Sequence, residues 1–233
     1  MSFGGIMSFF TFVKARIPYR FKAPLGRLLA SRKSLAEDQR LNRRPCSLEN
    51  RHLEGCRVLP NRLALLELLP KDGVVAEVGV ADGNFSAAIL DRNHPRTLHL
   101  IDLWASSFSG SDDLAFKSVS KRFVNEARED RVQFHRDYSW DAISKLAPAS
   151  LDWIYLDAGH DYDDVVKDLE VARHAIKPDG FITGHDYVKW SSPNGRFGVV
   201  EAVNEFCLKH DFAMRYVTFE SNMHHSFAIQ RIS

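Results

Sequence analysis

At 233 residues and 26.5 kDa, with 31 basic against 30 acidic side chains, the chain carries a formal charge of +1 and a pI near 7.8. That balance provides no global field for nucleic acid or an acidic partner, and the length suits one large α/β domain with a terminal extension. The three cysteines, Cys46, Cys56 and Cys207, form no C-x-x-C pair and cannot all pair with one another, which fits a reduced, cytoplasmic protein.

Residues 1–36 hold no acid but carry Lys14, Arg16, Arg20, Lys22, Arg27, Arg32 and Lys33. Ile6, Phe9, Phe10, Val13 and Ile17 recur at helical spacing up to Pro18. Three readings stand side by side: a basic amphipathic helix on an anionic membrane surface, an Arg-rich targeting leader, or a helix packing on the domain or on a second subunit. No apolar run reaches the roughly 20 residues of a spanning helix. Residues 37–59 read as linker or irregular cover, so 1–59 is taken as an extension and 60–233 as the domain proper. Pro60 then opens a short Leu-rich helix, Asn61–Leu69, stopped by Pro70.

Val74–Val78 is a short apolar run of the kind buried on both faces of a parallel sheet. Past Gly79 and Gly83 the pattern turns helical, with Asn84 or Ser86 as cap and Phe85, Ala88 and Ile89 on one face. Strand, glycine turn and helix in succession let the backbone at Gly79–Gly83 lie close to a ligand. The glycines are spaced G-x-x-x-G, with Glu77 inside the strand. This departs from the dinucleotide fingerprint and from the P-loop, whose Gly-Lys-Ser/Thr is missing.

Thr97–Ile101 reads as the second strand, ended by Asp102, whose two carboxylate oxygens are placed to accept hydrogen bonds from both hydroxyls of a ribose. Trp104 beyond it can cover an adenine or belong to the core. A loop and helix over 110–130 precede a third strand, Val132–His135, and the loop Arg136-Asp137-Tyr138-Ser139. Leu151–Leu156 is the fourth strand and runs into Asp157-Ala158-Gly159-His160-Asp161-Tyr162. A helix follows, closed by Lys177-Pro178-Asp179-Gly180. Phe181–Gly184 is the fifth strand and ends in His185-Asp186-Tyr187. Ligands gather at the carboxyl edge of such a sheet, so the two Asp/His-rich strand ends are expected to be neighbours. Lys189–Phe197 reads as a mobile loop over the substrate, Val199–Lys209 as a helix, and Phe212–Phe219 with His225–Ile229 as a hairpin.

Glu77-Val78-Gly79-Val80-Ala81-Asp82-Gly83 resembles the first motif of class I S-adenosylmethionine-dependent methyltransferases, E/D-x-G-x-G-x-G, with Ala81 for the middle glycine. Y-L-D-A-G-H-D-Y (155–162), K-P-D-G-F-I (177–182) and G-H-D-Y (184–187) are similar to the macrocin and sugar O-methyltransferase group. The resemblance covers about residues 60–233. It implies an α/β, doubly wound Rossmann-like sheet of about seven strands, mostly parallel, with an antiparallel C-terminal hairpin strand and helices on both faces. It implies S-adenosylmethionine as cofactor, held by Glu77, Gly79, Val80, Ala81, Gly83, Asn84, Phe85, Asp102, Leu103, Trp104, Asp137, Ser139 and Asp157. The expected reaction is methyl transfer to a hydroxyl of a small molecule, with His160 as base and Asp157 as its companion. Asp157, His185 and Asp186 are the candidate ligands for Mg²⁺ or another divalent cation. His185 stands where some relatives have a second acid, which leaves the ligand set open. A nucleic-acid acceptor is not expected, since no N/D-P-P-Y sequence is present. Two alternatives remain: a non-catalytic S-adenosylmethionine or nucleoside-binding protein, and a nicotinamide oxidoreductase, which the glycine spacing and the hairpin disfavour. Self-association or membrane contact through the basic segment, and a homo-oligomer, complete the expectations.

Overall fold

The computed structural model describes residues 34–44, 46–105, 112–191, 195–221 and 223–232; the basic amphipathic segment expected over the first turns of the chain lies outside the described residues. In chain order the elements are α1 (34–41), α2 (Asn50–Leu53), β1 (Arg57–Leu59), α3 (Arg62–Leu66) and β2 (Val74–Val78). Next come α4 (Asn84–Asn93), β3 (Thr97–Ile101), α5 (Asp112–Arg122), α6 (Val124–Arg128), β4 (Val132–His135) and α7 (Ser139–Ser144). Then follow β5 (Leu151–Leu156), α8 (Tyr162–Ala175), β6 (Ile176–Gly184), the short β7 (Trp190–Ser191) and β8 (Gly195–Arg196), α9 (Val199–His210), β9 (Phe212–Thr218) and β10 (Phe227–Arg231).

The main sheet has eight strands in the order β1-β9-β10-β6-β5-β2-β3-β4. All neighbours are parallel except β10, which runs antiparallel to both β6 and β9. The mostly parallel Rossmann-like sheet and its antiparallel hairpin strand are as expected. The added strand is β1, in a stretch read as linker. Gly55, with φ +74°, and Pro60 bracket Arg57–Leu59, which pairs with Tyr216–Thr218 of β9. Three residues are too few for a period-2 pattern to register in the sequence. Leu41 of α1, also in the supposed linker, is fully buried in the core.

Each central strand is buried on both faces, which is why its sequence shows an unbroken apolar run rather than alternation. Along β5, Ile154 and Leu156 face one layer with Leu169, Val203 and Phe206 of α8 and α9. Trp153 and Tyr155 face the other, with Leu65, Ile89 and Leu98. Fully buried aromatic and aliphatic side chains of this kind contribute about 1.5–3 kcal/mol each against exposure.

Three local expectations are corrected. Neither Asn84 nor Ser86 caps α4: Gly83 is the cap residue, in the left-handed region at φ +76°, and Asp82 Oδ1 accepts the Asn84 N–H at 3.1 Å. Lys177–Gly180 does not end α8 but is an outward excursion within β6, where Leu151 pairs with Ile176 and Trp153 already pairs with Phe181. The loop 189–197 is partly a ribbon, β7 with β8, although residues 192–194 lie outside the described residues.

The chain runs from β2 outward to β3 and β4, then returns to place β5 on the other side of β2. That reversal is the switch point at which ligands enter sheets of this kind. Gly79 and Asp157 sit on its two sides.

Candidate active site

Beyond the carboxyl ends of β2, β3 and β5 lies a cleft of about 400 Å³. Gly79, Ala81, Asp102, Leu103, Asp137, Ser139 and Asp157 line it. These seven expected positions therefore come together. At the switch point the Asp157 N–H donates to the Val78 carbonyl at 2.7 Å and the Gly79 N–H to Ile101 at 2.9 Å. Gly79 has φ +88°, and a Cβ there would lie 2.0 Å from the Asp157 carbonyl oxygen. No other residue type fits this crossing.

Asp102 splints the backbone around it. Its Oδ2 accepts the N–H groups of Val80 (2.8 Å) and Ala81 (2.9 Å), and its Oδ1 accepts that of Trp104 (2.6 Å). Three of the four lone-pair directions of the carboxylate are thereby used, and the remaining one is on Oδ1.

The other expected cofactor residues do not line the cleft. Trp104 is buried against Phe116 (ring centroids 5.0 Å apart) and Phe134 (6.3 Å), and with Ala81 and Asp102 it borders a neighbouring hollow. Phe85 packs on Tyr155 at 4.4 Å, with the Arg62 guanidinium over its ring at 4.7 Å. A Cβ on Gly83 would meet the Phe123 ring at 2.7 Å, so this glycine also lets the loop pack on Phe123. Asn84 is engaged with Asp82 and Arg122, and Val80 is buried. Conversely, Tyr138 and Trp140 do line the cleft, stacked with centroids 5.1 Å apart, and neither was singled out. Their spacing, aromatic at i and i+2 across a helix start, carries no periodic signal.

Glu77 lies beneath the loop, not in the cleft. It is buried and accepts a hydrogen bond from Ser86 Oγ at 2.5 Å. Burial pushes its pKa up to about 8, the Ser86 hydrogen bond pulling the other way. The folded value thus exceeds the ordinary 4.5, so ionisation of the unfolded chain draws stability away as pH rises between those two values, and no further above them. Glu77→Gln removes this dependence. Thermal or urea unfolding should show the variant gaining on wild type by up to about 1.4 kcal/mol per pH unit across that window. Parallel curves for the two proteins would mean that Glu77 is ionised in the fold.

The two Asp/His strand ends do meet, around Asp186. This buried residue has φ +57°. Its Oδ2 is 2.6 Å from His160 Nε2, and its Oδ1 is 3.2 Å from His185 Nδ1 and in contact with His224 Nδ1. His224 was not foreseen. It lies in the β9–β10 loop and reaches Asp186 because β10 inserts beside β6. Burial alone would raise the Asp186 pKa, but the hydrogen bonds from His160, His185 and His224 outweigh it and hold the carboxyl far below the usual range. Asp157, 3.6 Å from Arg62 Nη1 and 3.8 Å from His185 Nδ1, has its pKa pushed up to about 6, chiefly by burial.

His160 is held on three sides. Its ring lies flat on Phe197, with centroids 4.5 Å apart and planes 5° from parallel, and its carbonyl accepts the Gly198 N–H at 2.8 Å. Phe197 is anchored in turn by Arg196, whose buried guanidinium pairs with Glu201 (2.6 Å) and Asp38 (2.8 Å). The supposed mobile loop therefore has a fixed end.

As a cation site, Asp157, His160 and Asp186 each offer a ligand atom, all within 4.8 Å of one another. The expected set was Asp157, His185 and Asp186; His160 joins the two carboxylates here, and His185 Nδ1 also lies 3.8 Å from Asp157 and 3.2 Å from Asp186. Two carboxylates and an imidazole fit a divalent cation of the Mg²⁺, Mn²⁺ or Zn²⁺ kind.

Residues 76–187 match the family profile described as a methyltransferase domain. A candidate rRNA methylase from Clostridium thermocellum aligns with a TM-score of 0.56 and 18% identity, over 74% of this chain and 94% of that one. An O-methyltransferase family protein from Burkholderia thailandensis aligns with a TM-score of 0.55 and 14% identity, over 74% of this chain and 55% of that one, so this chain spans about half of its length. A SAM-dependent methyltransferase from Aquifex aeolicus gives 0.51 and 13%, over 70% and 85%. At these identities the likeness is one of fold and says nothing of the acceptor. A search of curated proteins gives no match.

Proposed function

We propose that this chain is a class I S-adenosylmethionine-dependent methyltransferase that moves the cofactor's sulfonium methyl to a hydroxyl oxygen of a small molecule, of the sugar or natural-product kind, with His160 taking the hydroxyl proton. One observation carries the reading: Asp157 borders both the cofactor cleft and the void beside His160 and His185, so that reactant and base can share one wall. The bound cofactor supplies an electrophilic methyl on a sulfonium. Everything else is the work of side chains. Asp102 keeps the Val80–Ala81 backbone in shape for the ligand. In the neutral His160 ring the Nε2–H donates to Asp186 Oδ2, which leaves the Nδ1 lone pair as the proton acceptor and puts a carboxylate against the imidazolium that forms. Stacking on Phe197 fixes the ring plane.

A second reading is favoured by the convergence of Asp157, His160 and Asp186. A divalent cation held there would lower the pKa of the acceptor hydroxyl, and His160 would then be a ligand instead of the base.

Calorimetric titration with S-adenosylhomocysteine, with and without Mg²⁺, tests the cofactor half of the proposal. Wild-type protein should bind, and Asp102→Ala should bind at least about tenfold more weakly, as expected for loss of hydrogen bonds to a charged group. Folded wild-type protein that binds under neither condition would remove the methyltransferase reading.

A further inference from the structure

Beneath the strand end that carries Asp157 is a void of about 10 Å³. Its walls are largely apolar, with Leu156, Val165, Val199 and Phe227, but Asp168 of α8 and His185 also line it. Each of these two keeps a buried polar atom without a partner among the described residues: Oδ1 of Asp168 and Nε2 of His185. Asp168 is only 3% exposed. An unsatisfied buried polar group costs about 1–3 kcal/mol, more if charged, so two such atoms on one void call for a bridge. A space of this size admits one water, which needs roughly two to four polar partners.

We propose that a single internal water bridges Asp168 Oδ1 and His185 Nε2, and that Asp168 is through it a positioning residue for His185. His185 Nδ1 faces Asp186 Oδ1 at 3.2 Å, so the neutral ring carries its proton on Nδ1 and presents a lone pair at Nε2. The water donates one hydrogen to Nε2 and the other to Asp168 Oδ1. The Asp168 carboxyl also takes a hydrogen bond from Ser139, which lines the cofactor cleft. The path Ser139–Asp168–water–His185–Asp186 thus ties the cofactor side of the site to its proton-handling side. The significance of His185 rests on the proposed function; the water site does not.

High-resolution diffraction from metal-free wild-type protein should show one solvent peak within hydrogen-bonding distance of both atoms. In protein labelled with ¹⁵N at histidine, the unprotonated Nε2 of His185 should resonate upfield of an unbonded ring nitrogen. Asp168→Leu, whose methyl groups replace both oxygens and fill the void, should move it downfield, while Asp168→Asn should stay near wild type. A dry void, or a Leu variant whose Nε2 resonance coincides with wild type, overturns the proposal. Should the Leu variant not fold, the wild-type density decides alone. Calorimetry with S-adenosylhomocysteine on the same wild-type sample keeps the two readings apart, because failure to bind would overturn the methyltransferase assignment and leave the water site standing.

Discussion

Gly79→Ala is expected to lose folding stability and cofactor affinity together. The added Cβ would lie 2.0 Å from the Asp157 carbonyl oxygen and 2.5 Å from its carbon, both backbone atoms. Neither side can yield cheaply. Gly79 is tied to Ile101 and Asp157 to Val78 by backbone hydrogen bonds, so relief means parting β2 from β5 at the mouth of the cleft. The φ of +88° adds about 1–2 kcal/mol for a residue with a Cβ, and forced overpacking adds about 1–3. Together this is a large share of the roughly 5–15 kcal/mol that holds a domain folded. Urea midpoints and calorimetric affinity for S-adenosylhomocysteine should both fall. Gly83→Ala is the comparison: at φ +76° it carries the same backbone strain and its Cβ meets the buried Phe123 ring, but that contact lies outside the cleft, so stability should fall with ligand affinity kept. If Gly79→Ala kept its stability and bound ligand as wild type does, close approach of the two strand ends would not be what shapes the site.

What the sequence disclosed follows the physical reach of each signal. Of the parallel strands, β2, β5 and the end of β6 were legible because burial on both faces makes each an apolar run, β3 and β4 because apolar residues alternate between turn signals, and the strand-terminal acids because they interrupt those patterns. Asp102, Asp157 and Asp186 all stand at such ends. β1 was not legible, since its pairing with β9 depends on a partner far along the chain and only Leu59 among its residues is buried. Trp104 could not be assigned because its fate is decided by Phe116 and Phe134, on two other elements. His224 was hidden for a related reason: a polar loop residue in the hairpin becomes part of the site only once the antiparallel β10 carries it beside β6. That His160 as well as His185 reaches the two carboxylates is a matter of side-chain direction, which spacing along the chain does not encode.

Asp186→Asn is expected to lower methyl transfer by about 10²–10⁴-fold, the usual worth of positioned acid–base catalysis, and to leave affinity for S-adenosylhomocysteine near wild type. Asp186 does not line the cleft between Gly79 and Asp157. Its left-handed backbone, φ +57°, is one that asparagine also tolerates, so the change removes charge with little change of shape. The charge is what three imidazoles converge on. For His185, burial opposes the protonated form, but the hydrogen bond to Asp186 and the charges of Asp157 and Asp186 outweigh it and raise its pKa. Asp186, held low, contributes stability above the ordinary carboxylate value of 3.8 and loses it as pH falls below. His185, held high, contributes below 6.5 and loses its share as pH rises through the raised folded value. The stability gap between wild type and Asp186→Asn should therefore be widest between those limits and narrow on both sides. Transfer is read with labelled cofactor against a panel of hydroxyl acceptors, before and after chelation. Activity that survives chelation in wild type assigns the proton to His160. Activity lost to chelator and restored by a divalent cation assigns the site to metal, and Asp186→Asn should then need more cation for any recovery. A variant within tenfold of wild type in both states would mean that the three histidines gather at Asp186 for structure alone, and that the hydroxyl is activated elsewhere.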